Sequence, residues 1–158
     1  IEACNRLKLP LVVVGIGSEE EKLKKLAGPT VKFTGYLTDQ ELIEYYRNAK
    51  AFIMPQEEDF GLTAVESLSF GTPVISFRNS GAAEIVKDGE LGVLFNEQSI
   101  DCLVKAIKRF NSCEVSQTSQ LKFAKQATDK FSQKLFKEEF KDKIKELWTK
   151  HQTNIYSR

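Results

Sequence analysis

The chain of 158 residues predicts an α/β fold, a doubly wound parallel sheet with helices on both faces. Three observations point there. Short apolar runs at Leu11–Val14, 51–55 and Val74–Phe77 alternate with helical patterns. The connections between them are short and carry glycine or proline, as at Gly15-Ile16-Gly17, Gly28-Pro29 and Gly71-Thr72-Pro73. No internal repeat or low-complexity tract interrupts the alternation.

The elements follow in order. Ile1-Glu2-Ala3-Cys4 reads as the middle of a helix closed before Pro10, so a natural start upstream of Ile1 is expected. Residues 11–14 are mostly β-branched, as in a strand buried on both faces. Gly15-Ile16-Gly17-Ser18 turns, and Ser18 can cap a helix over 19–26 whose first-turn acids suit the helix dipole. A second strand, 31–33, leads into Gly35-Tyr36-Leu37. Thr38-Asp39-Gln40-Glu41 is a capping box, and Leu42, Tyr45, Tyr46 and Ala49 share one face of the helix behind it. Strand 51–55, helix 62–70 and strand 74–77 come next. A loop over 78–83 opens a short helix, 83–86, with Glu84 as its capping acid or, in the competing reading, a residue near the ligand. Asp88-Gly89 turns into a strand over 92–95, and Ser99 caps a helix through 110.

Residues 111–120 are polar and Ser-rich, a surface connection. Residues 121–150 read as an amphipathic helix with Phe136, Phe140, Ile144 and Leu147 on a core-facing stripe and Trp148 as a packing anchor. The expected division is a sheet domain over 1–110 and C-terminal helices over 111–158 packed on it.

A net charge of +1 gives no global case for a nucleic-acid partner. The charge is uneven: residues 105–150 hold 12 basic and 6 acidic side chains. A solvated lysine face over a packed Phe stripe explains this; a peripheral membrane contact or a nucleic-acid face is the competing reading. Cys4, Cys102 and Cys113 lack paired metal spacing, and their odd number fits free thiols in a reducing compartment. No apolar stretch approaches the ~18–20 residues of a spanning helix. The expected location is therefore cytoplasmic, extending to the inner membrane surface.

The chemistry concentrates at residues 58–66, Glu-Asp-Phe-Gly-Leu-Thr-Ala-Val-Glu, between a strand and a helix. In a parallel sheet that junction lies at the carboxyl ends of the strands, where ligands bind. A carboxylate can accept both hydrogens of a vicinal diol, so Glu66 can face a ribose and Glu58 a sugar hydroxyl. The N–H groups of Gly61, Leu62 and Thr63 suit an anion such as a diphosphate. The same residues also fit a solvated acidic turn and a glutamate favoured by the helix dipole. Gly15-x-Gly17 fits a nucleotide turn or a purely structural one. Arg78 is the one arginine near the junctions. His151, the sole histidine, sits in a polar tail with nothing to orient it as a base.

Met54-Pro55-x-Glu-Glu-Asp-Phe-Gly-x-x-x-x-Glu66-Ser-Leu-Ser-Phe-Gly71-Thr-Pro-Val-Ile75 resembles the signature of family 4 glycosyltransferases. The flanking segments Gly15-x-Gly17-Ser-Glu, Phe33-Thr-Gly35-Tyr-Leu-Thr-Asp39, Gly81-Ala-Ala-Glu84-Ile-Val-x-Asp-Gly89 and Gly92-Val-Leu-Phe95 are in family order. The resemblance covers about residues 11–110. It implies the Rossmann-like C-terminal half of a GT-B enzyme, the half that binds the nucleotide-diphosphate sugar, linked to GDP or UDP. It implies Glu58 as the catalytic-site residue that contacts donor-sugar hydroxyls and Glu66 as the ribose ligand. By the same resemblance Phe60, Gly61, Leu62 and Thr63 would line the diphosphate passage, Tyr36, Leu37 and Thr38 would flank the nucleobase, and Gly15 and Gly17 would also be donor-binding. The Glu-Glu-Asp-Phe-Gly form resembles the mannosyltransferase-like branch. Retaining transfer of a hexose to a hydroxyl acceptor, without metal or other cofactor, follows from the resemblance. So does a preceding acceptor domain and a diphosphate-clamping Arg and Lys, which the family places ahead of the position of Ile1. This piece by itself is then expected to be inactive. A nucleotide-sugar epimerase of the same architecture and a non-catalytic nucleotide-binding module are the competing functions.

Overall fold

The computed structural model describes residues 1–112 and 117–156. Five parallel strands stand in two hydrogen-bonded groups. The first joins β1 (Leu11–Val14) to β2 (Val31–Gly35), with a register slip that sets Val14 opposite Gly35. The second has the order β3 (Phe52–Met54), β4 (Val74–Phe77), β5 (Gly92–Phe95). Ahead of β1 stands α1 (Glu2–Leu7), and between the strands run α2 (Glu20–Leu26), α3 (Asp39–Asn48), α4 (Leu62–Ser69) and a 3-10 helix, Gly81–Glu84. Three helices follow β5: α5 (Ile100–Ser112), α6 (Gln117–Lys130) and α7 (Gln133–Tyr156).

Alternation along β4 and β5 makes the fold doubly wound. Ile75, Phe77, Val93 and Phe95 point to one face and pack with Ala3 and Cys4 of α1 and Val104, Ala106 and Ile107 of α5. Met54, Val74 and Leu94 point to the other and pack with Ala64 and Leu68 of α4. Both strands are buried along their whole length, as expected of strands covered on two faces. Each large apolar side chain in these clusters contributes about 1.5–3 kcal/mol of burial.

The periphery departs from the sequence pattern. Val12 and Val14 are 40% and 41% exposed, so β1 is covered on one face rather than two. The reason lies in α2, which contributes no buried residue. Ser18 does not cap α2: Glu19 is already in right-handed helical geometry, and Glu20 N–H donates to the Gly17 carbonyl. Glu84 does not cap its 3-10 helix either. Ser80 does, accepting the Ala82 N–H, and Glu84 is the last residue of that element.

The reading of 121–150 as one helix is also corrected. The chain breaks at Phe131-Ser132, where Ser132 Oγ accepts the Leu135 N–H and restarts the helix. α6 packs against α4. On α7 the expected core stripe is open: Phe136, Phe140, Ile144 and Leu147 are half or more exposed, and so is Trp148. Among the described residues no helix is long and apolar enough to cross a membrane. Cys4 is a buried free thiol whose pKa burial raises; Cys102 is partly buried, and Cys113 lies outside the described residues.

Candidate functional site

The chain leaves β3 at Met54 and turns back into α4 through Gly61, which adopts φ 88, ψ 48. Only glycine enters this left-handed region without strain. A side chain at Gly61 would meet Ala82, its Cβ at 2.9 Å from the Ala82 Cβ. The loop is fastened from the other side as well. The Gly81 N–H donates to the Glu58 carbonyl at 2.7 Å, and Ser80 Oγ donates to the same oxygen at 3.4 Å. Small residues at 81 and 82 let the two backbones meet. The Glu58 side chain is left exposed at the rim, with its backbone immobilised.

Gly61 supplies α4 with no side-chain cap. Its carbonyl accepts the N–H groups of Ala64 and Val65. The N–H groups of Leu62 and Thr63, in the first turn, have no intrahelical acceptor and carry the positive end of the helix dipole. Leu62 and Thr63 are exposed around them. Phe60 is 48% exposed and meets Phe131 edge-on at 6.1 Å, so the C-terminal helices form part of the wall beside the loop.

Glu66 lies one turn into α4 and is exposed. Its Oε2 accepts a hydrogen bond from the Tyr46 hydroxyl at 3.1 Å. Tyr46 comes from α3 and is 7% exposed, stacked on Phe70 and edge-on to Phe52. The sequence assigned Tyr46 to the apolar face of α3 but held no sign of this bond across 20 residues.

The remaining candidates gather at the ends of β1 and β2. Gly15 N–H donates to the Gly35 carbonyl at 2.9 Å, which sets the Gly15–Gly17 turn beside the Tyr36-Leu37 turn. Gly15 has φ 108, and a Cβ added at Gly15 or at Gly17 would have no atom within 4 Å. Tyr36 is 78% exposed. Thr38 fulfils the capping box: its Oγ1 accepts the Glu41 N–H, and Glu41 Oε2 accepts the Thr38 N–H at 2.9 Å. The Thr38 N–H is thereby engaged.

Arg78 is engaged by other partners. Its Nε donates to Asn96 at 2.7 Å and its guanidinium pairs with Asp88 at 3.0 Å. Asp88 also pairs with Arg109 and accepts the Leu94 N–H. Burial alone would raise the Asp88 carboxyl; the Leu94 N–H and the two guanidiniums outweigh it and hold it below its ordinary value. His151 is exposed on α7 beside Trp148. Among the described residues no group of three His, Cys, Asp or Glu is arranged to hold a metal. A separate depression, lined by Ile1, Pro55, Phe95, Gln98 and Ile100 among others, includes neither Glu58 nor Glu66.

With this geometry in place, the chain can be compared with known proteins. The profile of the family described as Glycosyl transferases group 1 matches residues 1–130. The sulfoquinovosyl transferase SQD2 of Arabidopsis thaliana is 37% identical over 107 residues, covering 62% of this chain and 21% of that protein. A D-inositol 3-phosphate glycosyltransferase of Acidothermus cellulolyticus is 40% identical over 95 residues, covering 53% of this chain and 21% of that protein. The solved structure of sucrose-phosphate synthase from Thermosynechococcus elongatus superposes with a TM-score of 0.71 at 21% identity, over 94% of this chain and 49% of that one. HepE of Anabaena, solved in complex with UDP, gives 0.70 at 20% identity, over 88% and 41%. These structures share the fold. The chain spans about a fifth of the length of the two curated relatives.

Proposed function

This chain belongs to the group 1 glycosyl transferases, and we propose that it forms the half of such an enzyme that holds a nucleotide-diphosphate sugar. The parent enzyme then transfers a hexose from that donor to a hydroxyl acceptor with retention of configuration. The Glu-Glu-Asp-Phe-Gly form of the loop favours mannose as the sugar. One observation carries the reading: two exposed glutamates flank a helix start that has no side-chain cap, at the carboxyl end of the half-buried strand β3.

In this reading Glu66 accepts the ribose diol and Glu58 accepts hydroxyls of the donor sugar. The Leu62 and Thr63 N–H groups meet the diphosphate, and Gly61 lets it approach the backbone. Phe60 and the Leu62 side chain wall the passage. The nucleobase lies by Tyr36, Leu37 and Thr38, with the Gly15–Gly17 turn next to it. That HepE was solved with UDP supports a nucleotide donor for a chain of this fold. Developing charge on the leaving diphosphate is met by the α4 N-terminus and by cations outside this chain, without a metal. The acceptor is held outside this chain too.

The test is a calorimetric titration of the 158-residue chain with UDP, GDP and their sugars, comparing the native sequence with Glu66→Ala. The substitution is expected to weaken nucleotide binding about tenfold, the worth of one hydrogen bond to a charged group. Equal affinity in both proteins removes the ribose assignment.

A further inference from the structure

We infer that Tyr46 is a positioning residue for Glu66, selecting which part of its carboxylate is left open to the ligand. The inference rests on the ribose role proposed for Glu66. It begins from an asymmetry between the two glutamates: Glu66 has a side-chain partner, the Tyr46 hydroxyl, whereas the Glu58 loop is fixed through its backbone.

The phenol is a rigid post. Its ring stacks on Phe70 at 5.9 Å and meets Phe52 edge-on at 5.7 Å. Its own carbonyl accepts the hydroxyl of buried Thr72, so the backbone beneath the ring is tied to the start of β4. Arg47 lies over the Phe70 ring, 5.6 Å from its centre, and confines that ring. Tyr46 is therefore fixed by α3, β3 and the segment that joins α4 to β4. Burial and the neighbouring Glu66 carboxylate push its ionisation well above the ordinary tyrosine range, so it stays a donor throughout the working pH range.

Glu66 has the opposite character, an exposed side chain with three rotatable bonds. Freezing such a chain costs up to about 2 kcal/mol. The Tyr46 bond meets that cost before any ligand arrives. A carboxylate offers about four lone-pair positions. The phenol occupies one on Oε2, leaving two on Oε1 and one on Oε2. A vicinal diol requires two acceptors, so both of its hydrogens can still be taken, by a carboxylate held in a fixed plane. Unheld, Glu66 would reach the same geometry only at an entropic cost on each binding event.

The experiment measures affinities of the native chain, Tyr46→Phe and Glu66→Ala for UDP and GDP, each beside its 2′,3′-dideoxy form. The native chain is expected to prefer the ribonucleotide, and Glu66→Ala to lose that preference. Tyr46→Phe keeps the ring packing and removes only the hydroxyl. It should bind the ribonucleotide about three- to tenfold more weakly, with affinity for the dideoxy form unchanged. Thermal unfolding is followed alongside, because a role in packing alone would lower the melting temperature and leave the preference intact. A full preference in Tyr46→Phe, with none in Glu66→Ala, overturns the positioning role and spares the ribose assignment. A native chain with no preference, or one retained by Glu66→Ala, overturns both. If Tyr46→Phe does not fold, Tyr46→Met fills the space with a flexible apolar chain and gives the same readout.

Discussion

Gly61→Ala tests whether the β3–α4 junction is held by backbone geometry. Two costs add. The first is conformational: φ 88 lies in the left-handed region, where a residue with a Cβ pays about 1–2 kcal/mol. The second is steric: the new Cβ would stand 2.9 Å from the Ala82 Cβ, 3.1 Å from its Cα and 3.2 Å from its nitrogen. Ala82 has no exposed surface and packs with Met54, Leu68 and Val86, so it has little room to retreat. Overpacking of this kind costs about 1–3 kcal/mol. The total is about 2–5 kcal/mol, a large share of the stability of an ordinary domain. Gly71→Ala is the control, since Gly71 has φ 81 with no atom within 4 Å of the added group. It should cost only the conformational part. Urea unfolding of both variants at equal m-value reads the difference directly. Ala82→Gly introduced into Gly61→Ala should recover part of the steric loss. If Gly61→Ala is no less stable than Gly71→Ala, the junction does not depend on close contact between 61 and 82.

Two further predictions concern charge and capping. Asp88→Asn weakens the clamp on Arg78, Arg109 and Leu94 and should cost about 1–3 kcal/mol at neutral pH. Because the folded-state carboxyl lies below its ordinary value of 3.8, its stabilisation is present above that value and disappears as pH falls through the lower folded value. Stability curves of native and Asp88→Asn chains should therefore converge below about pH 4, and curves that stay parallel there would refute the clamp. Thr38→Ala removes half of the capping box and should cost about 0.5–2 kcal/mol. The Thr38 N–H and hydroxyl hold Glu41 below its usual range. NMR titration of Glu41 should move upward in the variant; an unchanged midpoint would show that the hydroxyl contributes nothing to it.

The centre of the fold was legible because its signals are local. β4 and β5 are apolar but for Ser76 and Gly92, and continuous burial is what they have. The capping box at Thr38 and the Ser99 cap of α5 were readable for the same reason, since each partner lies three residues from its cap. Errors arose where a pattern fits two environments. Apolar β1 reads the same whether one face or two is covered, and Val12 and Val14 show that one is. The α7 stripe has the spacing of a core-facing helix, yet spacing says nothing about what faces it, and Phe136 and Phe140 remain open. Ser18 precedes an acidic first turn and reads as a cap, yet Glu19 is already helical and takes that place, whereas Ser80, in extended geometry, caps the 3-10 helix that the sequence assigned to Glu84.

The site divides along the same line, and the division bears on its chemistry. Residues 58–66 mark themselves through spacing, but two acids around a junction invite either acid–base catalysis or the holding of hydroxyl groups. General acid work near neutral pH asks for a carboxyl sheltered from water. Glu58 and Glu66 are both exposed, and Glu66 Oε2 accepts a hydrogen bond from the Tyr46 hydroxyl. The choice therefore falls on contacts from distant residues: Gly81 beneath Glu58, Tyr46 beside Glu66, and Asp88 with Asn96 engaging Arg78. Arg78 is committed to Asn96 and Asp88, so under the function proposed above a diphosphate at this junction would meet helix N–H groups rather than that guanidinium. On that proposal residues 58–66 would orient the donor rather than cleave it, and the cationic help for the leaving group would come from outside them.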